Sequence, residues 1–282
     1  MTLEEWVRKG EALLRTGPHA ERARADAEFL LRYLLRYERA ALLVRWNERL
    51  HENEAALYAE LLERRQRGEP IQYITGEAEF YGLPFQVTPA VLIPRPETEH
   101  LVEKIVELAP LFPKPRMVDV GTGSGAIAVA LAHEWPAAQV TAIDISEDAL
   151  KVAEANARRT GFAKRIRLLQ GDLLTPVAGE HFEFVVSNPP YVSSGGRASM
   201  DVEVREFEPE TALFAGSDGL AIYRRLIPQA AGVLVPGGYI ALEIGCDQRD
   251  AIRALLGASA FEDVEFVPDL QGIARVAVAR RP

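Results

Sequence analysis

The 282-residue sequence predicts an α/β protein in which a doubly wound, seven-stranded sheet follows a small helical bundle and a β-hairpin linker. Three observations carry that expectation. Apolar residues recur at helical spacing through the first 70 positions. From Met117 onward, short apolar runs alternate with helical stretches, the rhythm of βαβ units. A glycine-rich turn stands where the first of those runs meets the first of those stretches.

In chain order, Leu3, Val7, Leu13 and Leu14 fit an amphipathic helix that stops at Gly17-Pro18. Residues 20–36 place Ala27, Leu30, Leu31, Leu34 and Leu35 on one face and Arg22, Arg24, Arg32 and Arg36 elsewhere. A short helix fits Arg39 to Val44, and a longer one runs from about Glu52 to Arg67, with Gly68 as its stop. These make a helical domain over 1–70, whose arginines form either a solvated face or a docking surface for an acidic partner. Residues 71–93 change character. Ile71, Tyr73, Phe80, Tyr81, Phe85 and Val87, punctuated by Gly76, Gly82 and Pro84, read as a hairpin linker. A third domain covers 94–282, with strands expected at 117–120, 139–143, 166–170, 184–187, 239–243, 264–267 and 274–279, and helices near 125–134, 147–160, 219–232 and 248–256.

Composition excludes several classes. The apolar runs, Ala126 to Ala132 among the longest, fall well short of the roughly 18 residues of a membrane span. The N-terminus MTLEEWVRKG has no apolar signal core. A single cysteine, Cys246, rules out an intrachain disulfide, and the five histidines share no i, i+4 ligand spacing, so no metal is expected. The net charge of −9 argues against a nucleic-acid coat. Residues 1–75 carry 13 basic and 13 acidic side chains, so the whole of the −9 lies beyond them, as two domains with different partners would show.

Chemistry gathers at two loops. Gly121-Thr122-Gly123-Ser124-Gly125 ends a strand and opens a helix, with the spacing G-x-G-x-G and Ala126 where a dinucleotide fingerprint has its third glycine. Asp144 ends the next strand, 21 residues after Gly123, where an acid receives a ribose diol in such folds. Asp172 and Leu173 close the strand after that. The three points together resemble the S-adenosylmethionine pocket of the Rossmann-like methyltransferases, in which the loop holds the amino-acid end of the cofactor, the acid its ribose, and the third strand end its adenine.

Ser187-Asn188-Pro189-Pro190-Tyr191 follows the fourth strand. Two prolines remove two N–H donors and fix φ, which holds the carbonyls of Asn188 and Pro189 rigidly. Asn188 adds a side-chain acceptor and Tyr191 a flat ring face. Such a loop suits a planar –NH2 group whose nitrogen must face an electrophilic methyl, and it resembles the signature of the amino-methyltransferases.

Further segments narrow the resemblance: Val91-Leu92-Ile93-Pro94-Arg95-Pro96-Glu97-Thr98-Glu99, Phe207 to Leu213, Gly216 to Leu220, Leu242-Glu243-Ile244-Gly245, and Tyr73-Ile74-Thr75-Gly76. In order, over essentially the whole chain, they look like the peptide chain release factor glutamine methyltransferases (PrmC/HemK family). The resemblance implies a substrate, the glutamine of the Gly-Gly-Gln loop of class 1 release factors, and a helical front end that contacts it. It implies cofactor contacts at Gly121 to Gly125, Asp144, Asp172, Leu173 and Asn188. It implies a catalytic and substrate-glutamine site at Asn188, Pro189, Pro190 and Tyr191. Leu173 stands where some members carry an aromatic residue, which changes the packing against adenine. Arg95 and Glu97 are candidate substrate residues, with a buried ion pair as the other reading. Ser193 to Arg197 has no assigned role. A cytoplasmic monomer with no stable nucleic-acid or membrane partner is the accompanying expectation. The rivals are a ribosomal-protein glutamine methyltransferase, which shares Asn-Pro-Pro-Tyr, a DNA adenine methyltransferase, which needs a basic recognition region, and a non-catalytic binding module, which needs neither loop intact.

Overall fold

The computed structural model describes residues 1–282, the side chain at position 109 excepted. The chain divides into two units, Met1–Glu77 with Asp201–Phe207, and Ala78–Met200 with Glu208–Pro282.

The first unit is helical: α1 (Leu3–Leu14), α2 (Ala23–Leu35), α3 (Arg39–Val44), α4 (Glu52–Gln66) and α5 (Ile71–Thr75). Thr2 caps α1 in a reciprocal box with Glu5, which satisfies two of the donors every helix start leaves open. Leu3, Val7, Ala27, Leu30, Leu31 and Leu62 are buried together, and Tyr58, fully buried, donates its hydroxyl to the Ala27 carbonyl at 2.8 Å. Arg65 is buried against Asp26 at 2.6 Å, and its other end meets Glu203 at 2.5 Å, so residues 201–207 are recruited to this unit by a charge that needs a second partner.

The linker expected over 71–93 differs. Residues 71–75 are helical, despite their β-branched and aromatic content. Pro70 sets the start, Ile74 buries itself in the helical core, and Gly76 in the left-handed region ends the turn. The hairpin is shorter, β1 (Glu77–Phe80) paired with β2 (Leu83–Gln86).

The second unit follows with α6 (Glu99–Leu108), β3 (Arg116–Val120), α7 (Ala126–Glu134), β4 (Gln139–Asp144), α8 (Glu147–Arg159), β5 (Ile166–Gln170) and β6 (Phe182–Ser187). Then come α9 (Val202–Phe207), which belongs to the helical unit, α10 (Ala221–Val233), β7 (Leu234–Glu243), α11 (Arg249–Ala258), β8 (Glu262–Pro268) and β9 (Ala274–Arg280). Seven strands form one sheet in the order β5-β4-β3-β6-β7-β9-β8, parallel except for β9. Each expected strand is present; β5 keeps its expected bounds and the other six are longer by one to five residues. One buried cluster joins α6 and α7 to one side of the sheet, and another joins α10 and α11 to the other. Ala126 to Ala132 are all buried, which is why α7 reads as apolar on every side.

Strand order reverses between β3 and β6, so the connections leave those two carboxyl ends in opposite directions and open a crevice there. The glycine loop follows β3 and Asn188 follows β6, which places both signatures at that crevice.

Candidate active site

A cavity of about 380 Å³ lies at the carboxyl ends of β3, β4, β5 and β6, within the size range of small-molecule sites. Its wall includes Gly121, Thr122, Gly123, Ser124, Asp144, Asp172, Leu173, Asn188, Pro189, Pro190 and Arg95, so most of the residues expected from the sequence are brought together.

At the glycine loop, Gly121 and Gly123 have positive φ, and a Cβ on either would meet nothing within 4 Å; the space beside them is the cavity itself. The N–H groups of Gly121 and Thr122 donate to the Ile143 carbonyl at 2.8 and 3.0 Å, which ties the loop to the end of β4. Asp119, fully buried beneath, accepts the Thr122 hydroxyl on Oδ2 at 2.6 Å, while Oδ1 has no hydrogen-bond partner among the described residues. Burial pushes the Asp119 pKa up to about 7, against the Thr122 hydrogen bond that lowers it.

Asp144 accepts from the Gly123 N–H at 2.8 Å on one oxygen and from the Ser146 N–H at 2.9 Å on the other. A carboxylate has about four acceptor positions, so capacity remains for a diol. Further along the rim, Asp172 is ion-paired with Arg225, which holds it at the cavity edge. Leu173 and the largely exposed Ile145 present apolar faces to the same space, suited to a planar base.

Opposite the glycine loop, the Ser187 hydroxyl donates to the Val120 carbonyl at 2.6 Å and joins the ends of β6 and β3. Asn188 is half-buried, and its Nδ2 donates to Thr98 Oγ1 at 3.0 Å. Thr98 donates in turn to Glu243 Oε2 at 2.6 Å, and the Tyr191 hydroxyl donates to Glu243 Oε1 at 3.3 Å. The Tyr191 carbonyl accepts from Gln248 Nε2 at 3.0 Å. Arg95 Nη2 forks onto both oxygens of Glu208 at 2.6 and 2.7 Å, so Arg95 lines the cavity and is ion-paired, with Glu208 and not with Glu97.

Three expected residues stand elsewhere. Gly125 is outside the cavity wall; it caps α7, where a Cβ would press on Ala153 at 3.1 Å, so glycine is required for packing. Tyr191 turns its ring away from the wall and its hydroxyl toward Glu243, because a phenol beside a buried carboxylate gains a charge-assisted hydrogen bond there. Burial, then the Glu243 charge, raises its pKa further. Glu97 is exposed and outside the wall, on the turn that buries its neighbour Thr98 instead.

Sequence reasoning missed Thr98 and Asn156 as site residues. Asn156, fully buried on α8, donates to the Ser124 carbonyl at 2.9 Å and exchanges hydrogen bonds with Gln86 at 2.6 and 2.9 Å, which braces the glycine loop from behind. A polar residue on the apolar face of an expected helix is the signal that marks it.

The residues fit S-adenosylmethionine. Two glycines open to the cavity, the Asp144 carboxylate with acceptor positions to spare and an apolar slot suit its amino-acid end, ribose and adenine in turn. Fold and site define an S-adenosylmethionine-dependent methyltransferase. Residues 5–76 match the family model described as PrmC N-terminal domain, and residues 97–207 match the methyltransferase small domain. The release factor glutamine methyltransferase of Koribacter versatilis is 46% identical over 92% of this chain and 91% of its own length, and that of Moorella thermoacetica is 45% identical over 100% and 99%. Among solved structures, the T. thermophilus 16S rRNA N2 G1207 methyltransferase in complex with AdoMet and guanosine shares the fold at a TM-score of 0.54 and 18% identity, over 73% of this chain and 50% of that one. The chain belongs to the release factor glutamine methyltransferase family.

Proposed function

We propose that this protein methylates the side-chain amide nitrogen of the glutamine in the Gly-Gly-Gln loop of class 1 peptide chain release factors. The observation that carries the chemistry is the Asn188 amide. It stands in a wall shared with the glycine loop, and its Nδ2 is already taken by Thr98. Its carbonyl oxygen is therefore the edge offered to a ligand, an acceptor for an N–H donor. The relatives named for release factor glutamine supply the substrate.

S-adenosylmethionine supplies an electrophilic methyl on a sulfonium, which becomes a neutral thioether as the amide nitrogen takes the methyl. An amide nitrogen is a poor nucleophile because its lone pair is delocalised. An acceptor on one of its N–H bonds pulls electron density toward nitrogen and turns the lone pair into the cavity. Asn188 Oδ1 does this with the carbonyls of the rigid Asn188-Pro189 segment beside it. Pro190 keeps the segment from relaxing. The nitrogen becomes strongly acidic as its new bond forms, so one N–H proton passes to water with no strong base. Gly121 to Ser124, Asp144, Asp172 and Leu173 hold the cofactor, and Arg95, fixed by Glu208, borders the substrate end.

Residues 1–77 with 201–207 are the docking unit for the release factor in this proposal. A single glutamine loop offers few contacts, so selectivity needs a second surface. A shallow cleft in this unit is lined by Phe29, Arg32, Tyr33, Arg36, Tyr37 and Glu38, with aromatic and arginine side chains of the kind enriched at interfaces beside one acid. The protein works as a cytoplasmic monomer on a protein substrate. Among the described residues, no helix is long and apolar enough to cross a membrane. The test offers labelled S-adenosylmethionine with purified release factor, ribosomal protein and DNA in parallel. Label is expected on the release factor glutamine; label on ribosomal protein or DNA instead overturns the assignment.

A further inference from the structure

Two buried polar residues take no part in the reaction as described: Thr98, on the turn that follows Arg95, and Glu243, at the end of β7. The structure joins them. Thr98 and Glu243 are 4% and 2% exposed, 145 positions apart, and linked by a 2.6 Å hydrogen bond. Thr98 Oγ1 is also the atom that receives Asn188 Nδ2 at 3.0 Å.

A hydroxyl has one proton. Spent on Glu243, it leaves Thr98 Oγ1 able only to accept from Asn188. A hydroxyl stands on each Glu243 oxygen, Thr98 at 2.6 Å on Oε2 and Tyr191 at 3.3 Å on Oε1, so the carboxyl group is placed to accept on both; burial raises its pKa against those two hydrogen bonds. The carbonyl of Glu243 is fixed as well, by the buried Tyr223 hydroxyl at 2.7 Å. The relay therefore has a direction: carboxylate, hydroxyl, amide N–H.

We propose that Thr98 and Glu243 are positioning residues that select which edge of the Asn188 amide faces the substrate nitrogen. An asparagine amide has two edges of nearly equal shape and opposite hydrogen-bonding sense. With Oδ1 in the cavity it accepts from the substrate –NH2. With Nδ2 in the cavity it sets donor against donor and withdraws nothing. Glu243 also receives the Tyr191 hydroxyl, so one carboxylate holds the Asn-Pro-Pro-Tyr segment at its first and last residues. The inference rests on the reading of Asn188 as the acceptor for the substrate amide.

Thr98→Val keeps the shape and removes the hydroxyl. Nδ2 then faces a methyl group, an unpaired donor that is costly to bury, and the amide turns that edge toward the wet cavity. The kcat for methyl transfer to intact release factor should fall ten- to hundredfold. KM for the release factor, and the S-adenosylmethionine Kd measured by calorimetry, should stay within twofold. Thr98→Ser keeps the hydroxyl and should hold kcat within threefold. In an Asn188→Ala background, Thr98→Val should lower kcat less than twofold further, because the relay acts through the amide that is gone. If Thr98→Val does not fold, Thr98→Ala, which cannot clash, replaces it with the same expectations. Full kcat in Thr98→Val beside a crippled Asn188→Ala overturns the relay alone, as does a multiplicative loss in the double variant. Wild-type kcat in Asn188→Ala overturns the reading of Asn188 and the relay with it.

Discussion

The helical unit and the sheet unit bury polar groups in different ways. In the helical unit the buried charges of one cluster close on one another: Arg65 takes Asp26, Glu203 and the Glu69 carbonyl. In the sheet unit Asp119, Thr122, Ser124, Ser187 and Glu243 are buried at or just beyond strand ends, with Thr98 and Asn156 buried against them, and Asp119 Oδ1 has no hydrogen-bond partner among the described residues. The same cost of removing a polar group from water thus serves two ends. Where every valence is met, the group fixes a shape. Where one is left over at a strand terminus, the group is poised for a ligand, because a parallel sheet ends all its carboxyl termini at one edge.

The largest effect expected from breaking this contrast is in the helical unit. Arg65→Ala leaves Asp26 buried without its close partner and should destabilise that unit by about 3–5 kcal/mol. Urea unfolding followed by helical circular dichroism reads the loss, while calorimetry should find cofactor affinity unchanged. A shifted affinity would mean that the two sets of buried groups are not separate.

Asp144→Ala tests the other side. Removing a charge-assisted contact to a ribose hydroxyl should weaken S-adenosylmethionine binding by about 1.5–3 kcal/mol. Thermal stability should change less, since the Gly123 and Ser146 N–H groups that lose their acceptor lie beside an open cavity. Unchanged affinity would remove the ribose assignment.

Asp119 makes the contrast pH-dependent. Its folded pKa of about 7 lies above the ordinary 3.8, so between those values the folded state holds a proton that the unfolded state releases. Stability should therefore fall as pH rises from about 4 to about 7, by at most about 1.4 kcal/mol per unit, and level off above. Asp119→Asn should flatten that limb. A slope retained in Asp119→Asn would place its origin in other groups.

The smallest effect belongs to the proposed docking surface. Arg36 lies over the Tyr33 ring at 4.8 Å and Arg32 near Glu38 at 3.8 Å, both on the rim of the shallow cleft. Arg36→Glu and Arg32→Glu should raise the release-factor KM severalfold, about 1 kcal/mol, at unchanged kcat, and less so in high salt. Steady-state methylation of intact release factor is the measurement, and equal KM in both variants would make the cleft incidental.

The helix Glu99–Leu108 has a periodic apolar face in the sequence but lies outside the expected helices. Leu101, Val102 and Ile105 share its buried face, and Thr98 stands at the cap position, but its hydroxyl goes to Glu243 and the proline-rich turn before it breaks the pattern. The hairpin reading of 71–75 followed β-propensity, which lost to a proline start and a buried isoleucine.

By itself the sequence determined what short-range rules control: the helices of the front end, the seven strands, the glycine turn and the rigid Asn-Pro-Pro segment, since periodicity, glycine φ and proline rings act within a few residues. It also carried the family, because the signatures stand in order along the chain. Only the tertiary structure decided which side chains meet across 70 to 145 positions: Asn156 with Gln86, Asn188 with Thr98, Arg95 with Glu208, Thr98 with Glu243. It turned Tyr191 inward and sent 201–207 to the helical unit. No local pattern encodes such pairings. Each is set by which strand ends the sheet order brings side by side, and by a buried polar group's need to find its partner there.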